Sequence, residues 1–261
     1  MLLSNRLGLV IVFLSLLLFG CTSIVSENEP DEVVVFAASS LTNVLEDMKI
    51  EFETLYPEVK IRINFAGSKT LRSQIENGAQ PDLFLSANKG HYMSLHDQDM
   101  FQVGGPLVEN TMVIITHKES EKNIQNLKDL TGDVQLVLAE QSVPAGAYAH
   151  EILKKFDFIN DTEYYENITS NLVSEESNVR QVLMKVTLGE ADAGFVYKTD
   201  VIKSVRDKIK VTEIEDVYKS NAVYYGGILK ESEKETAQLF YDFVMGQIGQ
   251  QIFESHGFII K

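Results

Sequence analysis

The chain has one cysteine, Cys21, in 261 residues. No internal disulfide is possible, and the fold has to rest on its apolar core. Basic residues are also scarce: 23 Lys and Arg stand against 38 Asp and Glu, a formal charge of −15. Without a basic stripe to neutralise phosphates, a nucleic-acid partner is excluded. No G-x-S-x-G elbow occurs. The five histidines (His91, His96, His117, His150 and His256) have no metal-ligand spacing, and no motif ties one to a serine. The adjacent pair Ser68-Lys69 is a poor nucleophile and base, since neighbouring side chains on one turn do not face each other. The chain is therefore expected not to be an enzyme, to use no cofactor, and to bind no metal ion directly. Internal repeats are absent as well.

An apolar run long enough to cross a bilayer comfortably is also missing. Residues 7–19 are apolar but too short for that, and they follow a single basic residue, Arg6. This is the pattern of a secretory signal. It ends in Leu18-Phe19-Gly20-Cys21, which resembles the bacterial lipobox, a motif whose cysteine is lipidated and becomes the first mature residue. Residues 1–20 are accordingly read as a lipoprotein signal peptide and Cys21 as the lipid-bearing residue. Residues 21–30, polar and acidic, read as a flexible tether. The expected location is extracytoplasmic, held to the membrane by the lipid.

Beyond residue 30, short β-branched runs alternate with amphipathic stretches. Strand-like runs fall at 33–36, 59–65, 81–87, 112–116, 134–140, 168–173 and 193–197, with helical spacing at 41–56 and 68–78. Such alternation predicts an α/β fold with mostly parallel sheet. The signals group into an N-terminal block ending near Val108 and a middle block from about Asn110 to Asn221. The tail from Lys234 has the spacing of a final helix that needs a sheet to pack on.

Four junctions between these runs share one chemistry. In VVVF-AASS-LTNVL a strand turns into a helix at Ser39-Ser40, and in INF-AGSK-TLRSQI at Gly67-Ser68. In VPAGAYA, Pro144 suits a first helical turn, and Ala145 and Gly146 leave their N–H groups uncovered. In SEESNVRQVL, Ser177 or Asn178 can cap a helix starting at Val179, and the strand AGFVY ends at Tyr197. An ordinary helix cap accounts for any one of these serines. A converging set would instead make an anion site, because helix starts present free N–H groups and partial positive charge.

Taken in order, FAASSLT, GSKTLRSQIENGAQPDLFLSA, VPAGAYA, NVRQVL and GFVY resemble the molybdate-binding proteins of bacterial ABC transporters. The ending HGFIIK is similar too, so the likeness spans roughly residues 32–261. The resemblance implies a two-lobed periplasmic-binding-protein fold of type II, with two chain crossovers and a ligand cleft between two α/β lobes. Lobe 1 would comprise 31–109 and 223–261, and lobe 2 would comprise 110–222. It further implies that Ser40, rather than Ser39, and Ser68 donate to the oxyanion from lobe 1. Ala145 and Val179 would donate backbone N–H groups from lobe 2, and Tyr197 its hydroxyl. The implied ligand is molybdate or tungstate, with molybdenum held only as the oxyanion. The implied partners are a membrane permease and its ATPase, served by a monomeric binding protein.

A site made only of donors prefers a fully deprotonated tetrahedral dianion, so sulfate or thiosulfate is the alternative ligand. Hydrogen phosphate would need an acceptor for its proton. A transcription regulator's sensing domain could share the fold, but this N-terminus holds a signal rather than a DNA-binding segment. Two positions depart from the family pattern. Lys69 replaces a small polar residue and is expected to point to solvent, the alternative being a cation beside the cleft. Tyr225-Gly226-Gly227 stands where relatives have tyrosine then proline, which bears on the stiffness of the second crossover.

Overall fold

The computed structural model describes residues 30–160 and 162–260. The leader and Cys21 lie outside the described residues. Strand β1 (Asp31–Ala38) pairs in parallel with β2 (Val59–Ala66), and the register runs from Asp31↔Val59 to Ala38↔Ala66. Between them come a 3₁₀ turn, Ser39–Leu41, and helix α1 (Thr42–Leu55). Helix α2 (Ser68–Glu76) then leads to β3 (Leu83–Ser86), parallel to β1 on its other side, and to α3 (Lys89–His96).

Successive side chains of a strand point to opposite faces, and β1 uses both. Val33, Val35 and Ala37 join the main core with Val44, Leu45, Met48 and Phe52 of α1. Phe36 joins a second cluster with Leu71 and Ile75 of α2 and Tyr92 and Leu95 of α3. A sheet covered on both faces reads as the continuous apolar run seen at 33–36.

The second half opens with β4 (Phe101–His117) and continues through β5 (Leu136–Ala139), α4 (Pro144–Asn160), α5 (Tyr164–Thr169) and β6 (Leu172–Glu176). Next come α6 (Val179–Thr187), β7 (Ala193–Tyr197), α7 (Lys203–Arg206) and β8 (Ile209–Glu213). The chain returns through β9 (Asn221–Leu229) and finishes with α8 (Glu235–Met245) and α9 (Gln247–Ser255). The strand order is β2-β1-β3-β9-β4-β7-β5-β6, with β8 also on β4.

The expected parallel pairing holds only inside each half, in β2-β1-β3 and in β7-β5-β6. The long strands β4 and β9 are antiparallel to each other and to the strands they meet, because one carries the chain across and the other brings it back. Up to Thr111, β4 pairs with β9; from Met112 on it pairs with β7 and β8. The strand expected at 168–173 is displaced. Tyr164 and Ile168, four apart, are buried on one helical face, and the strand begins only at Leu172. The tail helix divides at Gly246, whose φ of −76° and ψ of 179° interrupt it. Its apolar residues pack where a sheet and helix await them: Phe240 and Phe243 lie with ring centres 5.0 and 5.4 Å from that of Phe52 on α1. Among the described residues no helix is long and apolar enough to cross a membrane.

Register sets up the site. Because β1 and β2 end side by side at Ala38 and Ala66, the Ser39-Ser40 and Gly67-Ser68 turns are neighbours. Because Ala139 of β5 lies beside Glu176 of β6, the starts of α4 and α6 are neighbours too. Strand β7, parallel to β5, ends at Tyr197 on the same edge.

Candidate functional site

Ser40, Ser68, Ala145, Val179 and Tyr197 line one cavity, together with Ala38, Ser39, Ala66, Gly67, Ala87 and Pro144. It is a narrow cavity of about 10 Å³ that opens to solvent. None of these lining side chains is charged.

Four helical starts meet here: the 3₁₀ turn at Ser39, α2 at Ser68, α4 at Pro144 and α6 at Val179. The first N–H groups of a helix have no acceptor within it. Loop carbonyls and side chains of the described residues do not take those of Ser68, Ala145 or Val179 either. The cavity is therefore edged by free backbone donors and by the positive ends of helix dipoles. Asn178 caps α6 by accepting from Gln181 N–H at 3.2 Å, which leaves Val179 N–H outside the cap.

Both serines have their oxygens engaged. Ser68 Oγ accepts from Ala87 N–H at 3.0 Å, and Ser40 Oγ accepts from Tyr224 Oη at 2.9 Å. With its oxygen already accepting, a hydroxyl keeps its proton to give. Behind Ser40 the chain continues: Asn110 Nδ2 donates to Thr199 Oγ1 at 2.8 Å and lies 3.5 Å from Tyr224 Oη. Ser39 also lines the cavity, although only Ser40 receives this support. Its carbonyl accepts from the Thr42 hydroxyl at 2.6 Å and closes the 3₁₀ turn.

Tyr197 is 1% exposed, and its buried hydroxyl, close beside that of Tyr224, has no aligned hydrogen-bond partner. Burial pushes its pKa well above 10, and the phenols of Tyr224 and Tyr148 beside it push the same way. The group is thus a neutral donor. Tyr224, whose ring centre is 5.7 Å away, gives its own proton to Ser40. Just beyond, Tyr197 N–H donates to Asp200 Oδ2 at 3.3 Å. Arg180 Nε lies 2.9 Å from Asp200 Oδ1, an ion pair by distance without hydrogen-bond alignment. Burial raises the Asp200 pKa to about 6 against the opposing pull of Arg180.

Two glycines fit tightly. A Cβ on Gly67 would stand 2.4 Å from the Ser177 carbonyl oxygen, so α2 approaches the start of α6 only because Gly67 has none. A Cβ on Gly146 would stand 2.1 Å from the Glu140 carbonyl oxygen. Gly146 is bare so that α4 can seat on the end of β5, and the cavity wall there belongs to Pro144 and Ala145.

Lys69, half-exposed, is neither free in solvent nor a cation on the cleft wall. Its Nζ donates to Glu140 Oε2 at 3.0 Å and to Ser142 Oγ at 2.8 Å, and it is not part of the cavity wall. The carboxylate lies within reach once α2 meets the loop before α4. Gly226 and Gly227 sit inside the β3-β9-β4 ladder, where Cβ atoms would meet Leu85 and the Val103 carbonyl at 2.4 and 2.3 Å. Sequence reasoning missed Ala87, Tyr224 and Asn110. Tyr224 was visible in AVYYGGIL, but only the fold shows that it reaches Ser40. No cluster of His, Cys, Asp and Glu able to hold a metal ion exists among the described residues.

Comparison with known proteins gives this cavity a setting. Residues 33–259 match the family model described as bacterial extracellular solute-binding protein. A putative ABC transporter substrate-binding lipoprotein of Bacillus subtilis is 32% identical over 93% of this chain and 93% of its own. The molybdate-binding protein of Mycobacterium tuberculosis is 33% identical over 87% of this chain and 84% of its own. Among solved structures, the substrate-binding domain of a putative molybdenum ABC transporter from Clostridium difficile superposes with a TM-score of 0.65. It is 31% identical and covers 88% of this chain and 99% of its own. A sulfate-binding protein of M. tuberculosis, 12% identical over 87% and 86% of the two chains, shares the fold alone, with a TM-score of 0.76. The two-lobed α/β architecture is that of the periplasmic binding proteins, and these relatives bind solutes rather than transform them. The chain belongs to the family of bacterial extracellular solute-binding proteins and is the substrate-binding component of an ABC transporter.

Proposed function

We propose that this chain captures molybdate, and tungstate with it, in the cavity at the four helix starts and delivers the anion to a membrane permease driven by its ATPase. The donors would be the Ser40 and Ser68 hydroxyls and N–H groups, the N–H groups of Ala145 and Val179, and the Tyr197 hydroxyl. The observation that carries the reading is the Tyr197 hydroxyl: buried, neutral and without an aligned partner, in a wall that has no charged side chain. A buried hydroxyl left without a partner costs about 1–3 kcal/mol, and an oxyanion is a ligand that would satisfy it.

Neutral donors suffice for a dianion. Helix dipoles and aligned N–H groups replace its hydration shell, and each charge-assisted bond strengthens in a water-poor cleft. The chain's charge of −15 is screened over about 8 Å at physiological salt, so it opposes approach more than it weakens the bound state. Hydrogen phosphate is disfavoured because its proton would find no carboxylate on the wall.

Two lobes, 31–109 with 223–261 and 110–222, would close on the anion by a hinge motion. The protein would act as a monomer tethered through lipid on Cys21, a reading supported by the lipobox-like sequence and by the lipoprotein relative.

Thermal unfolding of the soluble chain from about residue 27, which contains the compact unit Asp31–Lys261, tests the reading against molybdate, tungstate, sulfate and phosphate. Ligand at a hundred times its Kd adds about 2.7 kcal/mol, or about 5–11 °C at this size. A shift with molybdate and tungstate alone is expected. A shift with sulfate instead would keep the cavity and replace the anion, and no shift with any oxyanion would refute the ligand class.

A further inference from the structure

We infer that Lys69, Glu140, Ser142 and His91 form a latch across the mouth of the cleft, one that sets how long the bound anion is held without touching it. The inference rests on the proposed closure of two lobes around the cavity. Lys69 and His91 belong to the first lobe, Glu140 and Ser142 to the second. Lys69 Nζ donates to Glu140 Oε2 at 3.0 Å and to Ser142 Oγ at 2.8 Å. Ser142 Oγ itself lies 3.2 Å from Glu140 Oε2, and His91 Nε2 lies 3.0 Å from the Ser142 carbonyl oxygen. Two elements of one lobe, α2 and α3, thus grip one short loop of the other.

The placement separates holding from recognition. Lys69 follows Ser68 and Ser142 precedes Pro144 by two residues, yet none of the four latch residues lines the cavity. The two Lys69 contacts and the His91 contact span the proposed division between lobes, so rotation of the lobes would break those three together, while the Ser142–Glu140 contact within the second lobe orders the loop they grip. A cation aimed at the anion would alter selectivity. A cation committed to Glu140 outside the wall acts on closure alone and should affect every bound anion equally. Lys69 and Glu140 are both 43% exposed, and a pair of this kind is modest and weakened by salt.

The test is stopped-flow release of molybdate, tungstate and sulfate from the same soluble chain, comparing wild type with Lys69→Met, Glu140→Gln and the double variant. The latch predicts release faster by about two- to fivefold in each single variant. It also predicts little further gain in the double variant, an unchanged ratio of affinities among the anions, and a wild-type release rate that rises with salt more steeply than that of the variants. Wild-type release rates in all variants would overturn the latch while leaving the ligand reading intact. A changed anion ratio in Lys69→Met would overturn it by placing the ammonium on the ligand. Failure of the wild type to bind any oxyanion would overturn both readings together.

Discussion

On the wall that β1 and β2 supply, Ser40 and Ser68 are the proposed side-chain donors, and each oxygen is already taken by a donor behind it, Ala87 N–H for Ser68 and Tyr224 Oη for Ser40. On the wall that β5, β6 and β7 supply, Ala145 and Val179 offer only backbone N–H, and the one polar side chain, Tyr197, has no aligned partner. The first wall is a set of side chains held ready by a supporting network. The second is mostly main chain, fixed by where two helices begin. The difference decides how each can be broken. A hydroxyl can be deleted by substitution, whereas a backbone donor can only be blocked.

The largest effect should therefore come from blocking the main-chain wall. Ala145 is 2% exposed at the first turn of α4, and a leucine there would fill the cavity that Ala145 and Val179 both line. Losing two charge-assisted bonds of about 1.5–3 kcal/mol each predicts that Ala145→Leu lowers oxyanion affinity at least about a hundredfold. Far-ultraviolet circular dichroism should be unchanged. Calorimetric titration checks this, and a variant that binds normally would show that the anion sits elsewhere.

The serine wall should give the next effect. Ser68→Ala and Ser40→Ala each remove one donor to an anion, about 1.5–3 kcal/mol, so affinity should fall by about 10- to 150-fold in each. They should also differ from the blocked wall in a second respect. Ser68→Ala strands the buried Ala87 N–H, and Ser40→Ala takes away the acceptor of the buried Tyr224 hydroxyl. Each should then lower the melting temperature of the ligand-free protein, which Ala145→Leu need not do by that route. Serine variants with weakened binding but unaltered ligand-free stability would show that the supporting bonds carry no weight.

The same contrast explains what could be read before any coordinates. The serine wall was legible because Ser39-Ser40 and Gly67-Ser68 announce themselves as turn chemistry between a β-branched run and a helical one. The starts of α4 and α6 were legible through Pro144 and Asn178. The partners behind the serines were not, because Ala87 lies 19 residues from Ser68 and Tyr224 lies 184 residues from Ser40. Pairing at such separations is fixed by sheet order and leaves no local pattern. The antiparallel β4 and β9 escaped for a related reason. Strand β4 begins with the half-exposed FQVGGP, and β9 carries two glycines that only close strand packing explains. The pairing of Lys69 escaped because the carboxylate that holds it comes from 71 residues further along the chain.

Tyr197→Phe should weaken binding no more than the serine variants do, since it strands no donor, and gives the sharpest test of the comparison, because its two consequences have opposite signs. In the ligand-free protein the hydroxyl is buried without an aligned partner, so removing it relieves a desolvation cost of about 1–3 kcal/mol. Phenylalanine keeps the ring contacts with Tyr224 and Tyr148. The ligand-free melting temperature should rise, by about 2–4 °C per kcal/mol relieved. Binding should weaken by about 10- to 150-fold, the worth of one hydrogen bond to a charged group, so the ligand-induced shift should shrink while its starting point climbs. Neither serine variant can do this, because their oxygens already serve as acceptors and their loss leaves a buried donor behind. A lower ligand-free melting temperature for Tyr197→Phe would mean that the hydroxyl is partnered within the protein, and the strongest reason for placing an oxyanion in this cavity would be gone.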